Sequence, residues 1–111
     1  MNISTLVKQG VLVIRVEGEL DMHVADEFRQ TVDEALAASG MKHVILNLKG
    51  VTFIDSSGLG VILGRYKKVA GSGGKMLAAN VRPQVARILE LSGLLRLIAP
   101  YGSETEAMES L

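Results

Sequence analysis

The stretch Phe53-Ile54-Asp55-Ser56-Ser57-Gly58-Leu59-Gly60 is the part of the chain whose residue types could do chemistry. An apolar run ends in an acid and two hydroxyls, then opens a helix with two glycines in its first turn. A serine hydroxyl can act as a nucleophile when a base lies beside it. A hydroxyl at a helix start also lies where free N–H groups and the helix dipole stabilise a phosphate. The nucleophile reading is poorly supported. His23 and His43 are the only histidines, and no G-x-S-x-G elbow surrounds Ser56 or Ser57. A Ser-His-Asp hydrolase assembled from one of these serines, His23 and an Asp is conceivable, but the chain reads as a non-enzyme.

Other chemical motifs fail on spacing. Gly71–Lys75 would be a P-loop only with Gly at position 69 and Ser or Thr at 76, where Val69 and Met76 stand. Gly58, Gly60 and Gly64 are one residue off the dinucleotide fingerprint, and the acid due about twenty residues later is missing. The two histidines lack ligand spacing, so no metal site is expected. With no Cys, zinc fingers, iron–sulfur clusters, disulfides and a thiol nucleophile are excluded. Four aromatics (Phe28, Phe53, Tyr66 and Tyr101) are too few for a base-stacking platform.

Twelve basic and twelve acidic side chains cancel, so neither nucleic acid nor an anionic membrane is an expected partner. The charges are nonetheless segregated. Seven acids and one Arg lie between Glu17 and Glu34; seven bases and one acid lie between Arg65 and Arg96. No apolar run approaches the eighteen or so residues that span a bilayer. No secretory signal is visible at the N-terminus. The expectation is a cytoplasmic protein of one domain, its 111 residues long enough to hold a core without staples.

The elements that must carry the serine loop follow from periodicity. Residues 2–8 and 11–17 read as a hairpin turned at Gln9-Gly10. Leu12, Ile14 and Val16 share one face, as do Val44, Leu46 and Leu48 in a strand over 43–49. The opposite faces are mixed, which argues for helices mainly on one side of the sheet. Helices are expected over 23–39, with Asp21 as N-cap and Gly40 as C-cap, and from near Ser57 to Gly71, with Ser57 as the cap. A short strand over 75–80 and a helix opened by Pro83 and stopped by Gly93 follow. A strand over 95–99 and a terminal helix over 104–111 complete an α/β fold, a four- to five-stranded mixed sheet whose later strands are parallel.

Gly60 and Gly64 fit this frame badly. Each glycine inside a helix costs about 1 kcal/mol relative to alanine. Close packing could account for Gly58, but Gly60 and Gly64 lie away from the apolar stripe, beside a Val61 expected to be exposed. A docking surface that needs close backbone approach explains them better.

Three segments carry a family resemblance. Gly18-Glu19-Leu20-Asp21, the run Asp55-Ser56-Ser57-Gly58-Leu59-Gly60-Val61-Ile62-Leu63-Gly64-Arg65-Tyr66-Lys67, and Leu91-Ser92-Gly93-Leu94 resemble, in matching order, a STAS domain. The similarity is greatest to the bacterial anti-sigma factor antagonists of sporulation and covers nearly all of 1–111. It implies a single STAS domain without cofactor whose unphosphorylated form binds an anti-sigma factor. That partner is an ATP-dependent serine kinase, and its capture frees the sigma factor. The resemblance further implies that the kinase phosphorylates Ser56, ending the interaction, and that a PP2C-type phosphatase restores it. Asp21, Asp55, Ser57, Gly58, Leu59, Gly60, Val61, Gly64 and Arg65 would form the partner-binding face. Two alternatives remain open: a STAS subunit of a stress-sensing or lipid-transport complex, and a nucleotide-binding STAS domain.

Overall fold

The computed structural model describes residues 1–111. Its elements are β1 (Asn2–Lys8), β2 (Val11–Leu20), α1 (Ala25–Ser39), β3 (Val44–Ile54), α2 (Ser56–Gly71), β4 (Met76–Ala79), α3 (Pro83–Leu91), a 3-10 turn (Leu94–Arg96), β5 (Pro100–Tyr101) and α4 (Glu104–Glu109). The five strands lie in chain order, β1-β2-β3-β4-β5. β1 and β2 are antiparallel, joined through Gln9 and Gly10 at φ 52 and 76, the left-handed pair that suits a tight hairpin. The remaining neighbours are parallel. A strand order that never reverses, with right-handed crossovers, puts α1, α2 and α3 on the same face.

The alternation read from sequence sorts the two faces correctly. Leu12, Ile14, Val16, Val44, Leu46 and Leu48 enter the main core with Phe28 and Val32 of α1, Ile62 and Val69 of α2, and Val85 and Leu89 of α3. Val11, Val13, Ile45, Leu77 and Ala79 form a smaller cluster on the other face, closed by Ala107 of α4. The mixed face is therefore covered by one six-residue helix, and the sheet is five-stranded with helices mainly on one side.

Several boundaries differ from the sequence reading. β2 and β3 run on to Leu20 and Ile54. Their pairing carries register shifts between Arg15 and Glu17 and between Gly18 and Glu19, and such irregularities erase the two-residue period on which the boundary rested. The strand expected over 95–99 is absent. Gly93, at φ 84, leads into the 3-10 turn, and the Ile98 N–H bonds to the Leu94 carbonyl. Leu94 and Ile98 are buried at helical spacing. β5 is only the pair Pro100–Tyr101.

Candidate functional site

The loop after β3 is organised by Asp55. Its Oδ1 accepts the Gly58 N–H at 3.0 Å, which makes Asp55, not Ser57, the N-cap of α2. An aspartate in extended backbone just before the first helical residue is a stronger cap than a serine already inside the turn. With the cap assigned to Asp55, both serine hydroxyls are released from that duty. Ser56 is exposed and Ser57 half-buried. The second carboxylate oxygen of Asp55 accepts the Met22 N–H at 3.1 Å, and the Asp55 N–H donates to the Leu20 carbonyl at 3.2 Å. The ends of β2 and β3 are thus tied into one surface.

Asp21 is on that surface but does not cap α1. Its Oδ1 accepts the His23 N–H at 2.9 Å, and its carbonyl accepts from Val24 and Ala25. This compact turn delays the helix to Ala25, with Val24 at the cap position and no side-chain cap. Neither Asp21 nor Asp55 takes part in any ion pair. Beside Ser56 there is therefore negative charge that the fold does not neutralise.

The other predicted partner-binding residues separate into two groups. Gly60 and Gly64 face open space: a Cβ at either would have no neighbour within 4 Å. Nothing in the packing demands glycine there, and with Ser56 they form a row at i, i+4, i+8 along one side of α2. Gly58 is different. It is buried, and a Cβ there would stand 2.2 Å from the Leu20 carbonyl oxygen, so its role is close packing of α2 on the end of β2. Leu59 and Val61 are half-buried against the main core, so Val61 is less exposed than its place on the wheel suggested. Arg65 turns toward α1. Its side chain is 13% exposed and its Nε lies 3.0 Å from Asp33 Oδ1, with Lys68 Nζ 3.4 Å from the same oxygen. The charge of Arg65 therefore goes to holding the two helices together.

Sequence reasoning missed two side chains. Met22, at the tip of the β2–α1 turn, is exposed beside Asp55. The signal available was an apolar residue between Asp21 and His23 in a polar turn. Glu104 is the second. It lies on the opposite face of the sheet in a polar cleft of about 710 Å³ that also presents Arg15, Asn47, Lys49, Asn80 and Arg82. Hydrogen bonds from Arg15 hold the Glu104 carboxyl down at about 2, with Asn47 and the charges of Arg15 and Lys8 assisting against the opposing effect of burial. His43 belongs to neither place: its Nδ1 accepts the Lys75 N–H at the start of β3, far along the strand from Ser56. No helix is long and apolar enough to cross a membrane.

The Ser56 end of the molecule thus brings together an exposed serine at a capped helix start, two carboxylates without ion-pair partners and two glycines that face open space. The family profile of the STAS domain matches residues 2–107. The chain belongs to the STAS domain family. It is 46% identical over 103 residues to the anti-sigma F factor antagonist of Paenibacillus polymyxa, covering 93% of this chain and 88% of that one. Among solved structures, an anti-sigma factor antagonist from Mycobacterium paratuberculosis superposes with a TM-score of 0.83 at 28% identity, over 98% of this chain and 93% of that one. The Bacillus cell fate determinant SpoIIAA in its phosphorylated form superposes with a TM-score of 0.74 at 28% identity, over 98% of each.

Proposed function

We propose that this STAS domain is an anti-sigma factor antagonist controlled by phosphorylation of Ser56. The unphosphorylated form binds an anti-sigma factor that is an ATP-dependent serine kinase, and this binding frees the sigma factor in the cytoplasm. The observation that carries the reading is the exposed Ser56 at the N-terminus of α2, with Asp55 supplying the cap. The kinship to antagonists and to a phosphorylated SpoIIAA supports it. In the transfer, the Ser56 Oγ attacks the γ-phosphorus of ATP, the bond to the β-phosphate oxygen breaks, and the hydroxyl proton passes to a base of the kinase. The domain itself catalyses nothing. A PP2C-type phosphatase returns the serine by hydrolysis. The partner-facing residues are Asp21, Ser56, Ser57, Gly60 and Gly64.

Electrostatics explain how one phosphate ends the interaction. Phosphoserine adds about −1.5 to −2 charges at neutral pH. It joins Asp55, and Asp21 nearby, neither of which has a cationic partner. The N-terminus of α2 offsets the repulsion by about 0.3–1 kcal/mol. Both terms are small beside the roughly 5–15 kcal/mol that hold a domain of this size. Binding is more vulnerable, because an unpaired charge trapped at an interface costs several kcal/mol. The switch is therefore local occlusion and repulsion.

The test is incubation of the chain with the cognate anti-sigma kinase and ATP, followed by peptide mass spectrometry. Phosphate on Ser56 and loss of kinase affinity are expected. Phosphate on Ser57, or undiminished labelling of Ser56→Ala, contradicts the assignment. Ser56→Asp should lose affinity while keeping the circular dichroism spectrum and thermal midpoint of the parent.

A further inference from the structure

The turn between β2 and α1 presents an apolar side chain that the fold does not use. Met22 is 69% exposed. A single exposed apolar residue is ordinary, but this one stands on a fixed backbone. Its N–H is held by Asp55 Oδ2 at 3.1 Å, and the next residue is held by Asp21 Oδ1 at 2.9 Å. Val24 and Ala25 both donate to the Asp21 carbonyl. Moving Met22 back onto the core would break this set of bonds. The same Asp55 carboxylate caps α2 at Gly58, so one side chain sets the position of Met22 relative to Ser56.

We propose that Met22 is an apolar anchor for the anti-sigma factor kinase and that Asp55 is the positioning residue that presents it. This rests on the function proposed above and deepens it. The partner's chemistry follows from the surroundings. Met22 calls for an apolar recess, which an unbranched thioether can fill without a strict shape. Asp21, next to Met22 in the chain, has no cationic partner within the fold, so the rim of that recess should carry a Lys or Arg on the Asp21 side, away from Ser56. The anchor then shares a surface with the serine that the kinase modifies, because Met22 is bonded to Asp55, the residue before Ser56. Asp55 acts through Met22, and it need not touch the kinase itself.

The experiment measures affinity of the full chain for the purified cognate kinase, by calorimetry, for Met22→Ala, Asp55→Asn and the double variant, alongside thermal melts. Anchors of this kind typically lose about tenfold or more on truncation. Met22→Ala should weaken binding by about that factor with an unchanged midpoint. Asp55→Asn leaves one acceptor where the carboxylate served two donors, and should weaken binding similarly. The double variant should bind no more than about twofold worse than Asp55→Asn alone, since both remove one contact. Additive losses would overturn the positioning role, and unchanged affinity of Met22→Ala would overturn the anchor while leaving the proposed function standing. Should Asp55→Asn not fold, Met22→Leu replaces it: near-parental affinity for Leu and loss for Ala support the anchor, and equal loss overturns it. A parent chain that does not bind the kinase overturns the function and the anchor together. Self-association of the parent that Met22→Ala abolishes assigns the contact to a second copy, and also overturns the proposal.

Discussion

Asp55 and Glu104 each tie distant segments together, and they do so with opposite chemistry. Glu104, 11% exposed, receives Arg15 Nε and Nη2 at 2.9 Å each and Asn47 Nδ2 at 2.6 Å, with Lys8 Nζ at 3.8 Å. It pins α4 across β2 and β3, and its charge is balanced inside the fold. Asp55 receives only backbone N–H groups, from Gly58 and Met22, and pins the Ser56 loop to the β2–α1 turn. Its charge is left at the surface. Balanced charge serves the stability of the back face. Under the proposed function, unbalanced charge makes a phosphate on Ser56 matter more to the partner than to the fold. Variants on the back face should therefore change stability and spare partner binding, and those at the Ser56 end should do the reverse wherever the backbone is not in tight contact.

Gly58 marks the limit of that contrast and gives the largest expected effect. It belongs to the Ser56 end, yet a Cβ would lie 2.2 Å from the Leu20 carbonyl oxygen and 2.8 Å from Ile54 Cγ2. The carbonyl cannot retreat freely, because it also accepts the Asp55 N–H. Gly58→Ala should destabilise the chain by about 3 kcal/mol, the upper end for overpacking. Urea unfolding measures it. A loss below about 1 kcal/mol would mean that the junction of β2 and α2 yields easily.

Glu104 tests the back face. Its pKa is lowered from 4.5 to about 2, so the folded state holds this proton less tightly than the unfolded chain does. The stabilisation is complete above about pH 4.5 and drains away as the pH falls toward 2. Arg15 is 46% exposed, so solvent screens the pair and the net worth is at most about 1 kcal/mol. Glu104→Gln should cost that much at neutral pH, with kinase affinity unchanged. Midpoints of parent and variant, measured from pH 7 to pH 2, should converge over the acid limb. Parallel curves would show that the ion pair contributes nothing.

These contrasts were only partly legible in the sequence. The alternation of Leu12, Ile14 and Val16 against Val11 and Val13 identified the helical face, because burial on one side imposes a two-residue period. The end of β2 was hidden by Gly18 and by register shifts that interrupt that period. The segment 95–99 reads as a strand in the sequence because short apolar runs carry no decisive period, whereas the 3-10 turn at Leu94–Arg96 runs into it. At the site, the resemblance drew attention to the Asp55–Lys67 stretch, and the openness of Gly60 and Gly64 was read correctly. The cap was given to Ser57, since aspartate and serine side by side are both good caps and only backbone geometry separates them. Arg65 was drawn outward because its partner Asp33 lies on another helix. Glu104 was missed for the same reason: its partners are 57 and 89 residues away in the chain.

The smallest effect should come from Gly60, two residues beyond Gly58 on the same helix. No atom lies within 4 Å of the Cβ it lacks, and its φ is not in the left-handed region. Alanine there meets no obstacle and removes the backbone freedom that glycine gives the unfolded chain. Gly60→Ala should therefore raise stability, by no more than about 1 kcal/mol. A methyl group is small enough for a partner to tolerate, whereas Gly60→Leu projects a full side chain from the row that includes Ser56. The leucine variant should keep the gain in stability, somewhat reduced, and bind the kinase at least about tenfold more weakly, as a truncated or blocked interface centre does. Paired urea and binding measurements on the two variants decide the matter. A stabilised Gly60→Leu that binds like the parent would leave the glycine strip without a role in docking, and a destabilised Gly60→Ala would show that this side of α2 is not open in solution.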